Sequence, residues 1–132
     1  VLINNMAQSL ISMGFRLSMD DFGTKYSNLE MLFKFPFSIA KIDRSLVKNL
    51  ESNEKSRIML KHLISMIMEL GIECVAEGAE NEEQVRLLQQ FGCNIIQGYF
   101  YSKPVTLDVF TSEFVEKQGI NCDSQFYIQC SY

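Results

Sequence analysis

The polar residues that could do chemistry in this sequence stand at the ends of separate apolar runs. Asp20 and Asp21 follow the first of these runs, and Lys41, Glu77 and Gln97 each end a later one. Adjacent carboxylates are hard oxygen donors, the type of ligand that Mg²⁺ and Mn²⁺ prefer in proteins. The sequence therefore first indicates a divalent-metal site that includes Asp20 and Asp21.

The spacing of apolar side chains predicts the elements that would bring these residues together. A period near 3.6 residues, with stop and cap signals, predicts helices over residues 2–13, 27–34, 55–70, 81–92 and 106–116. A period of two, or a short apolar run, predicts strands over residues 15–20, 37–43, 72–76 and 94–100. The polar stretch 45–54 is predicted to be a loop. Repeated βα units of this kind predict an α/β fold with a parallel sheet.

Such a sheet would gather the polar residues at one edge. Active sites of parallel α/β barrels lie at the carboxyl ends of the strands, where side chains from several strands converge. Asp20, Lys41, Glu77 and Gln97 each end a different predicted strand. Alternation along a strand allows each of them to point inward while a neighbour such as Met19 faces the covering helices.

Each of these residues, taken alone, also has a plainer structural interpretation. Asp20 and Asp21 precede Gly-Thr, which is ordinary turn chemistry, so they could simply cap a turn. Lys41 could be a snorkelling lysine or could form an ion pair with Asp43. Glu77, followed by glycine, could be a solvated strand end. Gln97, also followed by glycine, could belong to a turn. The functional interpretation rests on the joint order of these residues rather than on any single one.

Four ordered motifs carry a resemblance to a known family. They are the stretch 20–29, which begins Asp-Asp-Phe-Gly-Thr, and the stretches 40–43 (Ala-Lys-Ile-Asp), 75–80 (Val-Ala-Glu-Gly-Ala-Glu) and 96–99 (Ile-Gln-Gly-Tyr). With these motifs the chain resembles the second half of an EAL-domain cyclic di-GMP phosphodiesterase. The Glu-Ala-Leu segment that names the family has no counterpart here, and neither do the family's upstream acidic and Asn ligands.

The resemblance implies a (β/α)₈ TIM-type barrel, a fold that takes about 250 residues. The 132 residues of this chain are expected to form a partial barrel of about four parallel βα units. Residues 1–116 are assigned to this half domain, and residues 117–132 to a tail of unknown role. The chain begins at Val1 without a signal-like segment, and we expect it to be a fragment. An open half barrel leaves strand edges uncovered, so the expected partners are the missing N-terminal half or a second copy in a homodimer.

The resemblance also implies roles for individual residues. Two divalent ions, Mg²⁺ or Mn²⁺, about 4 Å apart would stabilise the phosphate charge and activate a water. Lys41 would lie near that water and the phosphate, and Glu77 would be a ligand or the general base. The implied metal ligands are Asp20, Asp21 and Glu77, the substrate-binding residues are Gln97 and Thr24, and the supporting residues are Glu80 and Asp43.

Two functional classes stay open at this point. In the first, the parent protein is an enzyme that hydrolyses cyclic di-GMP to linear pGpG, while the fragment alone is inactive. In the second, the chain is a non-catalytic EAL-like module that binds cyclic di-GMP or a protein partner. Lys25 stands where the family pattern usually carries glycine. If that position needs a positive φ, lysine costs about 1 kcal/mol there, which favours inactivity.

Charge and cysteine content narrow the partners and the compartment. A net charge of −4 without a basic stripe argues against a DNA or RNA polymer as partner. No apolar run reaches membrane-spanning length. The 4 cysteines form no CxxC pair and the chain has 1 histidine, so structural zinc is not expected. Cys74 is expected to be a free, buried thiol, which fits a reducing, cytoplasmic compartment.

Overall fold

The computed structural model describes residues 2–24 and 27–117. Lys25 and the tail residues 118–132 lie outside the described residues, so the expectations about them stay predictions. No helix in the described part of the chain is long and apolar enough to cross a bilayer.

Helices and strands alternate along the chain. The helices are α1 Leu2–Ser12, α2 Ser27–Lys34, α3 Arg44–Lys48, α4 Glu54–Glu69, α5 Glu82–Gln90 and α6 Leu107–Phe110, followed by a π-helical segment at Thr111–Glu116. The strands are β1 Ser18–Phe22, β2 Ile39–Ile42, β3 Glu73–Glu77 and β4 Ile95–Gln97. The four strands form one sheet in the order β1-β2-β3-β4, and every neighbouring pair is parallel. The predicted α/β fold with four parallel βα units is confirmed.

Asparagine side chains fix the starts of the two helices that cross between the later strands. At α4, Asn53 Oδ1 accepts a hydrogen bond from the Ser56 amide at 3.1 Å. At α5, Asn81 Oδ1 accepts one from the Gln84 amide at 3.0 Å. Each cap satisfies an amide that has no partner within its own helix. The capped start predicted for the helix at residue 81 is confirmed.

One face of the sheet is buried beneath the helices. Buried and half-buried residues alternate along β2 and β3 because successive side chains point to opposite faces. The buried strand residues belong to one hydrophobic core with residues of α4; they are Met19, Phe22, Ala40, Ile42, Cys74 and Ala76, with Leu60, Ile64 and Ile67. The opposite, less covered face carries Lys41 and Glu77.

The prediction of a loop over residues 45–54 is wrong in its first part, because α3 forms there. Asp43 caps this helix by accepting a hydrogen bond from the Ser45 amide at 2.9 Å. Val47 is fully buried and anchors the helix to the core. A helix of 5 residues is too short to show a helical period among polar neighbours, so the spacing of apolar side chains gives no sign of it.

Predicted bounds of other elements also shift, most clearly at β1 and β4, and the last helix differs in type. β1 starts later than predicted and continues through Phe22, because pairing with β2 begins at Ser18 and a bulge follows Met19. β4 stops at Gln97, short of its predicted end, because the backbone of Ala79 hydrogen-bonds across the end of the strand. The last predicted helix forms, but it consists of the short α-helix α6 followed by the π-helical segment.

Candidate active site

Lys41 lies between two of the predicted acidic residues. Its Nζ is 2.5 Å from Glu77 Oε1 and 3.1 Å from Asp20 Oδ1. Asp20 lies on β1, Lys41 on β2 and Glu77 on β3, which are neighbouring strands in the sheet. Lys41 therefore pairs with Glu77 and Asp20 rather than with Asp43, the alternative that the sequence left open.

The cluster of Lys41, Glu77 and Asp20 ranges from nearly buried to exposed. The side chain of Lys41 is 13% exposed, that of Glu77 20% and that of Asp20 66%. Partial burial alone would lower the pKa of Lys41, but its hydrogen bonds to Glu77 and Asp20 and their negative charges together raise this pKa. Lys41 is therefore a fixed ammonium at neutral pH, suited to hold an anionic oxygen rather than to act as a base.

The acidic pair sits on a bulged strand end. Asp21 has a φ of 52°, in the left-handed region that non-glycine residues seldom adopt. Its amide donates to Asp20 Oδ1 at 3.1 Å, and Thr24 Oγ1 donates to the Asp21 carbonyl oxygen at 2.9 Å. The bulge leaves both Asp20 and Asp21 exposed, whereas regular alternation would bury one of them. The hydroxyl of Thr24, predicted to bind substrate, is used in this turn.

Gln97 extends the site by one strand. It lies opposite Glu77 in the register of β3 and β4, and both residues are half-buried. Polar residues from all four strands therefore lie at the carboxyl edge of the sheet. Lys41 contacts both Asp20 and Glu77, and Gln97 is the register partner of Glu77.

The two predicted supporting residues hold the surrounding loops. Asp43 caps α3, and its hydrogen bond with Ser45 lowers the pKa of the Asp43 carboxyl. The amide of Glu80 donates to Gln84 Oε1 at 2.8 Å, while the rest of Glu80 is exposed. Buried Gln84 belongs to the stretch 81–84 that the sequence predicts to cap this helix. The sequence does not show that its side chain also reaches the backbone of Glu80 and so holds the loop after Glu77.

The donor chemistry suits a hard divalent cation, but the described residues supply only part of a ligand set. Asp20, Asp21 and Glu77 offer carboxylate oxygens. Within residues 2–24 and 27–117, however, no group of three or more His, Cys, Asp or Glu side chains could hold a metal ion. The ammonium of Lys41 contacts both Glu77 and Asp20. A complete site would need further donors from outside the described residues.

Comparison with known proteins agrees with this arrangement. A family model described as "EAL domain" matches residues 2–104. The cyclic di-GMP phosphodiesterase RocR of Pseudomonas aeruginosa is 41% identical over 93 residues, an alignment that covers 70% of this chain and 24% of RocR.

Solved structures give the same result. The EAL domain of DcpA from Mycobacterium smegmatis has a TM-score of 0.79 and 34% identity, covering 83% of this chain and 49% of that one. A standalone EAL protein from Vibrio cholerae, in its c-di-GMP bound form, has a TM-score of 0.71 and 31% identity, covering 76% of this chain and 43% of that one. The chain spans less than half the length of each of these three proteins.

Proposed function

The chain belongs to the EAL domain family, and we propose that it forms the second half of the catalytic domain of a metal-dependent phosphodiesterase. The proposed reaction is hydrolysis of cyclic di-GMP to linear pGpG. RocR is named for a cyclic di-GMP phosphodiesterase activity, and the Vibrio cholerae structure holds c-di-GMP. The observation that carries the proposal is the contact of Lys41 with Glu77 and Asp20 at the carboxyl edge of the parallel sheet.

The position of each side chain supports a part in this reaction. The ammonium of Lys41 holds a non-bridging phosphate oxygen and offsets its charge. Glu77, which is held beside Lys41, accepts the proton of the attacking water. Gln97 contacts the dinucleotide from the neighbouring strand. Divalent ions, Mg²⁺ or Mn²⁺, held by Asp20, Asp21 and Glu77 would supply charge neutralisation and a water of lowered pKa.

The rest of the domain is part of the proposal. The other side of the pocket and the remaining ligands come from the N-terminal half of the barrel, which pairs with the edge strands β1 and β4. A second copy of the chain in a homodimer is the alternative partner for those edges. Among the described residues, Cys74 and Cys93 are free and buried, which suits the reducing cytoplasm as the compartment.

A non-catalytic role is the second candidate, and one observation favours it. Lys41 already pairs with both Asp20 and Glu77, so a divalent ion would compete with an ammonium for two of its three expected carboxylate ligands. A site of this kind would bind cyclic di-GMP without cleaving it.

The test is the conversion of cyclic di-GMP to pGpG, followed by chromatography, by the full-length protein that carries this chain. In the presence of Mg²⁺ or Mn²⁺ we expect turnover that Glu77→Gln reduces by several orders of magnitude. Glu73→Gln is the matched control, because Glu73 lies on the same face at the other end of β3 and pairs with Arg16. Tight binding without turnover in the wild-type protein would favour the non-catalytic candidate.

A further inference from the structure

The loops that follow β3 and β4 are joined by two backbone hydrogen bonds, which we call the Ala79 clasp. The amide of Ala79 donates to the carbonyl oxygen of Gln97 at 3.2 Å, and the amide of Phe100 donates to the carbonyl oxygen of Ala79 at 3.0 Å. Ala79 is fully buried, so both of its polar backbone groups need these partners.

Gly98 makes the clasp possible by having no side chain. A methyl group at Gly98 would collide with the carbonyl oxygen and the amide nitrogen of Ala79. These are backbone atoms, which cannot rotate away as the end of a flexible side chain can. The φ of Gly98 is not in the left-handed region, so space rather than backbone conformation requires glycine here.

The clasp lies two residues from the proposed catalytic carboxylate. Gly78, between Glu77 and Ala79, has a φ of 75° and is packed against Arg44 at the start of α3. The backbone that follows Glu77 is therefore held by α3 on one side and by the β4 loop on the other. Glu77 itself is 2.5 Å from Lys41, a contact that a small shift of this backbone would break.

We propose that Gly98 is a positioning residue that acts through the Ala79 clasp to hold the carboxylate of Glu77 against Lys41. Its importance for turnover rests on the proposed phosphodiesterase function, whereas its effect on the contact between Glu77 and Lys41 does not. The atoms nearest to a methyl group added at Gly98 all belong to the backbone of Ala79, so Gly98 acts through that backbone.

The first test uses NMR and amide hydrogen exchange on the Gly98→Ala variant, without substrate. We expect exchange of the Ala79 and Phe100 amides to accelerate by about tenfold or more. The Lys41 ammonium signal should shift toward its position in Glu77→Gln. Gly92→Ala is the control, because it places a methyl group at a positive φ against Met68, away from the clasp. Faster exchange with an unchanged Lys41 signal would overturn the proposal.

The second test measures kcat and KM in the full-length protein. We expect Gly98→Ala to lower kcat by about 100-fold, the scale of an ångström-sized misplacement of a catalytic group, with a much smaller change in KM. In the Gly98→Ala background, Glu77→Gln should then cost far less than in wild type, because both changes act on the same carboxylate. If the two substitutions lowered kcat by independent factors that multiply in the double variant, the proposal would be contradicted.

Two further measurements keep the proposal testable. If Gly98→Ala does not fold, replacing Phe100 by phenyllactate removes the amide donor to Ala79 without adding bulk, and the same loss of the contact between Glu77 and Lys41 is expected. An unchanged Lys41 signal in that variant would overturn the proposal. If the wild-type protein does not hydrolyse cyclic di-GMP, the proposed function fails, while the exchange and ammonium signals still decide whether Gly98 positions Glu77.

Discussion

At the scale of single residues, the two ion pairs of Lys41 differ in strength because their surroundings differ. The contact with Glu77 joins two side chains that are largely shielded from water, whereas the contact with Asp20 reaches a carboxylate that is 66% exposed. Water screens an exposed pair, and such pairs contribute under about 1 kcal/mol. Lys41 is therefore held by Glu77, and Asp20 is free to exchange the ammonium for another cation at low energetic cost.

The raised pKa of Lys41 predicts that its contribution to stability depends on pH. Its pKa in the folded state is raised above the ordinary value of 10.5, so its stabilising effect is complete below that value and is lost as the pH rises through the folded pKa. We expect Lys41→Met to lower the free energy of unfolding at pH 7. The difference in free energy of unfolding between wild type and variant should become smaller in strongly alkaline solution. Urea titrations at a series of pH values would measure it, with Lys61→Met on α4 as the control for loss of one lysine. A difference in free energy of unfolding that becomes larger as the pH rises would contradict the ion pairing of Lys41 with Glu77 and Asp20.

Asp20 should matter for turnover and little for stability. In the full-length protein we expect Asp20→Asn to reduce hydrolysis of cyclic di-GMP by several orders of magnitude, because it removes a charged ligand at the proposed metal site. The free energy of unfolding should change by less than about 1 kcal/mol, since the lost ion pair is exposed. Glu30→Gln, which breaks the exposed pair with Lys34 on α2, is the control for the charge change. Wild-type turnover at saturating Mg²⁺ would exclude Asp20 as a ligand.

At the scale of elements, the sequence predicts the helices and strands whose apolar side chains recur periodically. It misses the elements that depend on a few individual contacts. α4 and the alternation of β2 and β3 follow from apolar spacing, and the placement of Lys41 and Glu77 on one face follows from that alternation. α3 has no such period, because it depends on the Asp43 cap and on one buried residue, Val47. The bulge that exposes Asp21, and the clasp at Ala79, arise from backbone contacts between segments distant in sequence. Local patterns do not contain those contacts.

The Asp43 cap gives a prediction for α3. Asp43→Ala should destabilise the protein by about 1 kcal/mol, whereas Asp43→Asn should cost much less, because asparagine also accepts the hydrogen bond from the Ser45 amide. The pKa of Asp43 is lowered in the folded state, so the extra stability of the carboxylate is present above the ordinary value of 3.8 and is lost as the pH falls through the folded pKa. Urea midpoints of the three proteins at neutral and acidic pH would measure this. Equal losses in both variants would show that the cap contributes nothing.

At the scale of the whole molecule, the described residues leave apolar surface open on α1 and just after it. α1 and the residues after it carry large, exposed apolar side chains: Ile3, Met6, Leu10, Met13 and Phe15. An apolar patch of this kind marks a surface that another segment or chain covers. The less covered face of the sheet carries the candidate site. We expect the proposed N-terminal half of the barrel to cover both this face and the apolar side chains of α1.

The 132-residue chain on its own should therefore be inactive. We expect the purified chain to show no Mg²⁺-dependent conversion of cyclic di-GMP to pGpG, because it holds one side of the pocket and an incomplete ligand set. The full-length protein, assayed in parallel, should be active, and the chain mixed with a separately produced polypeptide that carries the preceding half of the same protein should regain part of that activity. The mixture made with the Glu77→Gln chain is the control and should stay inactive. Metal-dependent turnover by the chain alone, abolished by Glu77→Gln, would show that the other half is not needed. The oligomeric state of the active chain would then decide whether a second copy completes the site.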